Sequence, residues 1–231
     1  MSSQPNNSII DGITCLQALA SSDRPVGCRE LSRQLNLQPM KVNRILQTLV
    51  SMGIAIQDEK KAYLPGPGIH VLAAQAIHGS SLLSQTLPAV EAKLPCEHII
   101  SVGVLWQDKV SYLVHTEPDK TFSESLTHNH LYDATKSTIG IQLLSSKSDD
   151  EIVDIVGQKR FALIKDKVAF SRIHGYSKQY HEDPNEVTIA ITLDGNSSAA
   201  IAFSRFQDQG DALIDKLAEL KALAVKISGK V

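Results

Sequence analysis

Lys41, Asn43, Arg44, Gln47 and Thr48 recur through QPMKVNRILQTLVSMG, residues 38–53. These are side chains suited to one chemistry. Lys and Arg neutralise phosphates, and Asn, Gln and Arg present paired donors and acceptors to base edges. Between them Val42, Ile45, Leu46, Leu49, Val50 and Met52 recur at three- and four-residue spacing, the apolar face of a helix. Pro39 suits the first helical turn, where no N–H is needed, and Gly53 suits the residue just past the end. A core on one side with Lys, Asn, Arg and Gln on the other is what a major-groove recognition helix requires. An ordinary amphipathic surface helix satisfies the same pattern, so the neighbouring elements decide.

Upstream, a polar lead (1–7) with the look of a disordered terminus precedes a helix expected over Ser8 to Ala20. Ser8 is its N-cap, and Ile9, Ile13, Leu16, Leu19 and Ala20 form its apolar face. SSDRPVG (21–27) reads as a turn, and a short helix over Cys28 to Leu35 places Leu31 and Leu35 one turn apart. Asn36 to Gln38 then lead into the polar-faced helix, which makes a helix-turn-helix. After Gly53, Ile54 to Gln57 and Ala62 to Leu64 read as a hairpin with the charged tip Asp58-Glu59-Lys60-Lys61. A hairpin there is a wing, and Lys60 and Lys61 can meet phosphate or the minor groove, with plain solvation as the competing reading. Arg29, Gln38 and Met40 complete the DNA-facing set. Pro65-Gly66-Pro67-Gly68 should continue neither a helix nor a strand. The helix after it, IHVLAAQAI (69–77), is almost wholly apolar and needs a cover. A second copy of the chain is the preferred cover, and the chain's own domains are the alternative.

Further along, a helix is expected over Leu82 to Leu94, kinked or started at Pro88. Strands follow at His98 to Trp106 and Lys109 to Thr116, with a third at 122–126. A polar loop from His130 turns helical at about Thr138, and helices follow at Asp149 to Val156 and Lys165 to His174. Val187 to Leu193 and Ser198 to Phe206 read as paired strands joined at Asp194-Gly195-Asn196. Asp211 to Ser228 closes the chain as a helix. Strands in the middle with helices at both ends make an α+β class. The expected domains are a winged helix over 1–65, a linker helix over 66–80 and a sheet domain over 81–231.

Composition bounds the function without naming it. The chain has 231 residues, 42% hydrophobic and 21% charged, ordinary for a globular protein. Its net charge of −2 carries no nucleic-acid signature, but residues 1–80 hold seven Lys/Arg against five Asp/Glu and the remainder sixteen against twenty. A mildly basic first part on an acidic body fits one DNA-binding domain and one that is not. No apolar window is long enough for a membrane span, and MSSQPNNS lacks the features of a signal peptide. Cys15, Cys28 and Cys96 are widely spaced with no C-x-x-C, and read as reduced thiols of a cytoplasmic protein, Cys15 in the core. No G-x-S-x-G, P-loop or G-x-G-x-x-G occurs, so neither an enzyme nor a cofactor is expected. His128 and His130, with Asp133, have the spacing of a metal pair, but no second cluster supplies the remaining ligands, so no metal is expected. His174 and His181 read as surface histidines before partners of an anion, and Trp106 as a core or dimer contact.

Three segments carry a resemblance to a known family. RELSRQLNLQPMKVNRILQTLVSMGIAIQDEKKAYLPGPGIHVLA (29–73) is similar to the winged helix and linker helix of IclR-type transcriptional regulators. ATKSTIGIQLLSS (134–146) resembles that family's loop-then-helix beside its effector pocket. IHGYSKQYHEDPNEVTIAITLDGNSSAAIAFSRF (173–206) resembles its Gly-Tyr segment and last two core strands. The resemblance implies an N-terminal winged helix, a linker helix and a C-terminal GAF-like antiparallel sheet domain with flanking helices. It implies a homo-oligomer, dimer or tetramer, that binds double-stranded operator DNA and responds to a small-molecule effector, often a carboxylate. It places the pocket at the start of the Thr138 helix and against the last strands. The effector-binding set is then Ser137, Thr138, Ile139, Gly140, Asp183 (or Glu182), Thr188 and Ser204. Amides at a helix start favour an anion. The sequence departs from the family pattern at Thr135-Lys136, where an imidazole is common, at Glu186-Val187, and in a shorter stretch between Ser146 and Ile173. A different reading stays open: a protein-interaction adaptor or sensor whose winged helix does not touch DNA.

Overall fold

The computed structural model describes residues 4–118, 120–126, 131–193 and 198–228. The chain divides into two units, Met1–Ser80 and Ser81–Val231.

In the first unit α1 (Asn7–Ala20), α2 (Cys28–Leu35) and α3 (Pro39–Ser51) close on a core of Cys15, Leu19, Leu31, Val42, Leu46 and Tyr63. The helix-turn-helix is made by two local signals. Asn36 takes the left-handed conformation that ends α2 (φ 52°), which Asn tolerates better than most residues. Pro39 then starts α3 at its first turn. α1 is capped by Asn6, whose side chain accepts from the amides of Ser8 and Ile9, and not by Ser8. Its buried stripe runs through Cys15 and Leu19, so the expected face is rotated: Ile9, Ile13 and Ala20 are exposed. Met52, expected on the apolar face of α3, is exposed at the C-cap, where the helix has already turned away from the core.

The wing is β2 (Ala55–Gln57) against β3 (Ala62–Pro65). Part of the segment read as a turn is instead β1 (Val26–Gly27), which pairs with Tyr63 and Ala62 to give a three-stranded sheet. The Pro-Gly run is not a clean break. Pro65 ends β3, and Pro67 opens α4 (Pro67–Gly79) at a position where its missing N–H costs nothing. The amides of Gly66 and Gly68 donate to the carbonyls of Ile54 and Gly53, at 2.8 and 2.9 Å. A Cβ at either glycine would stand 2.6 or 2.8 Å from the Gly53 oxygen. The start of α4 is thereby stitched to the end of α3. α4 buries none of its residues.

The second unit is a six-stranded antiparallel sheet in the order β6-β5-β4-β9-β8-β7. Its strands are β4 (Ile99–Trp106), β5 (Lys109–His115), β6 (Leu131–Asp133), β7 (Ser177–Tyr180), β8 (Glu186–Thr192) and β9 (Ala199–Gln207). Alternation sorts the side chains. Val187, Ile189, Ile191, Ile201 and Phe203 face α5 (Ser81–Glu91) and α9 (Ala212–Ser228). Ala190, Ala200 and Ala202 face the other way and let α6 (Thr138–Ser145) approach the sheet, with α7 (Asp149–Val156) and α8 (Gln158–His174) in the same layer. α6 is buried along its whole length. Pro88 lies inside α5 and does not start it. Residues 124–126 of the expected third strand are a 3₁₀ turn, and α8 starts seven residues earlier than its apolar pattern announced. The hairpin residues Asp194 to Asn196 lie outside the described residues.

Candidate functional site

Two surfaces bring the predicted residues together, one in each unit. On α3, Met40, Lys41, Asn43, Arg44, Gln47 and Thr48 are all exposed while Val42 and Leu46 are fully buried. The N-cap Gln38 is exposed and uses no side-chain atom to cap the helix. The residues are not equivalent. Lys41 forms an ion pair with Asp11 of α1. Gln47 donates to the Tyr63 hydroxyl at 2.9 Å, joining α3 to the wing. Thr48 donates back to the Arg44 carbonyl at 2.9 Å. Asn43 and Arg44 make no side-chain hydrogen bond or ion pair among the described residues and are exposed. At the wing tip Lys60 and Lys61 are exposed, and Lys61 is held at φ 61°. Arg29 is exposed near the start of α2.

In the second unit a cavity of about 610 Å³ opens at one end of the sheet, under the start of α6. Of the expected effector residues, Ser137, Thr138, Ile139, Thr188 and Ser204 line it. Gly140 sits just behind, where a Cβ would stand 2.1 Å from the Ala134 carbonyl oxygen, so the absence of a side chain lets the loop close on the helix. Its amide is already taken by the Ser137 hydroxyl at 3.2 Å. That leaves the amides of Thr138 and Ile139 as the first-turn donors without an intrahelical acceptor. Asp183 lies outside the cavity, in the β7–β8 turn, accepting from the Asn185 amide at 2.9 Å, and Glu182 does not line the cavity either.

The cavity also holds residues that sequence reasoning did not put there. Tyr112 hydrogen-bonds Ser137 at 3.0 Å, Ser101 hydrogen-bonds His115 at 2.8 Å, and His181 hydrogen-bonds Thr188 at 2.7 Å. Gln179 lines the wall with its Oε1 buried and unpaired. Lys136 and Arg205 bring two full positive charges, and Glu117, the one carboxylate on the wall among the described residues, is ion-paired with Lys120 at 2.7 Å. The balance favours an anion. Gln179 follows from strand register once Thr188 is placed, since the two are partners, whereas His181, expected at the surface, lines the cavity wall. Tyr112 and Arg205 had no local signal.

One clamp holds the loop that carries Lys136 and Ser137. Arg160 of α8 donates to Asp108 at 2.7 Å and to Asp133 at 2.5 Å, and Asp133 also accepts from the amide and hydroxyl of Thr135. Burial pushes the Asp133 carboxyl up, but the bonds from Thr135 and Arg160 outweigh it and hold the group at about 2. Asp133 is thus committed to the clamp, and His128 and His130, its expected companions in a metal pair, lie outside the described residues. His174 is exposed and stacks on Phe170 with ring centroids 4.0 Å apart, away from the cavity.

A family model for the IclR helix-turn-helix domain matches residues 12–59. The HTH-type transcriptional regulator KdgR of Dickeya chrysanthemi is 27% identical over 165 residues, covering 68% of this chain. The aligned part spans about half, 53%, of that relative's length. A putative IclR regulator from Silicibacter sp. TM1040 superposes with a TM-score of 0.76 at 16% identity, covering 96% of this chain and 95% of that one. An IclR-family regulator from Brucella abortus gives 0.74 at 15%, covering 99% and 94%. An IclR homologue from Microbacterium hydrocarbonoxydans in complex with 4-hydroxybenzoate gives 0.67 at 18%, covering 96% and 98%. Residues 12–59 thus match the model of the IclR helix-turn-helix domain, and both units are similar in fold to solved IclR-type regulators.

Proposed function

We propose that this protein is a homo-oligomeric, sequence-specific DNA-binding transcriptional regulator whose operator affinity responds to a small carboxylate held in the 610 Å³ cavity. The observation that carries the DNA reading is the exposed face of α3. Asn43 and Arg44 stand there without partners among the described residues, beside a helix start with free amides and a wing tip with two exposed lysines. Asn43 and Gln47 are the base-edge candidates, and Arg44, Lys60 and Lys61 the phosphate contacts, with Arg29, Gln38, Met40, Lys41 and Thr48 around them. The carboxylate reading is supported by Lys136, Arg205 and the Thr138 and Ile139 amides, and by the acid bound in the Microbacterium hydrocarbonoxydans homologue. Cavities of this size suit small metabolites. Apolar residues left exposed on α4, Val71, Leu72 and Ile77, support association of two copies.

The test is selection of bound duplexes from a random DNA pool at near-physiological salt. A two-fold symmetric motif is expected, its half-site spacing reporting how two α3 helices are held. The adaptor reading is favoured by the modest charge of residues 1–80. It would stand if folded protein enriched no motif, with or without pooled carboxylates.

A further inference from the structure

The effector cavity crosses the sheet instead of following one strand. Its walls reach from Tyr112 on β5 to Gln179 on β7, with β4, β9 and β8 between them. Those walls are four strand spacings apart, and β9, which carries Arg205, is two spacings, about 10 Å at the backbone, from β5. Each side has its own cation. Lys136 stands on the β5 side, next to Ser137, whose hydroxyl meets Tyr112. Arg205 stands on β9 but leans on Glu186 of β8, with Nε 3.7 Å from the carboxylate. His181 lies on the same side, bonded to Thr188. Between the two sides the lining includes Ile99, Ile139 and Ala202, with the hydroxyl-bearing Ser101 and Ser204 among them.

Arg205 is placed there by a break in the ladder. Val187 pairs with Phe206 and Ile189 with Phe203, so Ser204 and Arg205 together face the single residue Thr188. Arg205 itself sits at φ 62°, a left-handed conformation uncommon outside Gly, Asn and Asp. A bulge of this kind re-aims a side chain, and strained backbone of this kind gathers at functional sites. Glu186, at 3.7 Å, is too far for a charge-assisted hydrogen bond and answers this guanidinium weakly.

A cation, a floor of mixed apolar and hydroxyl groups and a second cation describe the complement of a molecule charged at both ends. We propose that the cavity takes a linear dicarboxylate. One carboxylate meets Lys136 and the Thr138 and Ile139 amides, and the other meets Arg205 and His181. This rests on the effector reading above and narrows it.

Calorimetric titration of the full chain with adipate and with hexanoate, acids of equal chain length, tests it. Adipate is expected to bind at least about tenfold tighter, the increment of one added charge-assisted contact. Arg205→Asn removes the charge while keeping a residue that tolerates positive φ. It should reduce adipate affinity about tenfold and bring the two acids to near parity. Lys136→Gln should weaken both acids. Melting of each variant without ligand reports whether it folds, and the wild-type comparison needs no variant. Equal affinity for the two acids, or an Arg205→Asn that weakens both alike, overturns the two-headed ligand and leaves the effector site standing. If adipate, hexanoate and 4-hydroxybenzoate all fail to bind the wild type, the effector reading falls and this one with it.

Discussion

Lys41 and Arg44 are neighbours on one helix turn, yet their surroundings give them different roles. Lys41 is engaged by Asp11, whereas Arg44 is exposed and has no partner among the described residues. Replacing Arg44 by Ala should therefore weaken binding to every duplex and flatten the salt slope by about one unit. Lys41→Ala should do less, and Asp11→Asn should strengthen non-specific binding by freeing Lys41. Fluorescence anisotropy over a salt series reads all three, and equal losses for Lys41→Ala and Arg44→Ala would show that the Asp11 pair opens on DNA. The same scale holds an acid response. Asp133, at about 2 in the folded chain, would ionise near ~3.9 when unfolded. A lowered carboxylate stabilises the fold above its unfolded value. That contribution is lost as pH falls from about 4 through about 2. Asp133→Asn should cost about 1–2 kcal/mol at neutral pH and flatten this acid limb in a pH series of urea unfolding.

At the scale of elements, glycine positions join pieces that the chain separates. A Cβ on Gly140 would meet the Ala134 carbonyl at 2.1 Å. Gly140→Ala should cost about 1–3 kcal/mol as overpacking, and should also displace the loop that carries Lys136 and Ser137. Thermal unfolding reads the first effect and acid titration the second. A stable variant with unchanged ligand affinity would mean that the loop does not set the cavity. Why some elements were legible follows from the same scale. α2, α3 and α6 carry their signals locally, in caps, a starting proline and one periodic face. β1, β6 and β7 have two, three and four residues. Such strands at sheet edges need no apolar alternation, so nothing in their composition sets them apart from loop. The buried face of α1 departs from the sequence pattern for the opposite reason. Ile9, Ile10 and Ile13 form an apolar pattern that this chain's own core does not consume. In the cavity, Ser137, Thr138, Thr188 and Ser204 follow from the family resemblance of residues 134–146 and 173–206. Arg205 does not, because a bulge that turns an arginine into the left-handed region depends on how β8 and β9 register.

For the molecule as a whole, what one copy leaves uncovered is informative. α4 is nearly all apolar and buries none of its residues, and Val71, Leu72 and Ile77 are each more than half exposed, at 56%, 52% and 52%. A palindromic operator needs two copies held at a fixed spacing, and an apolar helix stitched to the end of α3 is suited to holding them. Leu72→Glu separates the two demands. In a single chain the position is exposed, so the substitution should change the stability of the fold by no more than about 0.5 kcal/mol. At a contact between copies it would desolvate a carboxylate against apolar surface, and the dimer dissociation constant should rise by about tenfold or more. Analytical ultracentrifugation measures that shift directly. Binding to a two-half-site operator should fall with it, while the weak affinity for a single half-site should persist, because Asn43 and Arg44 are untouched. A variant that stays dimeric with full operator affinity would place the contact between copies on another surface, with the exposed isoleucines of α1 the next to be replaced.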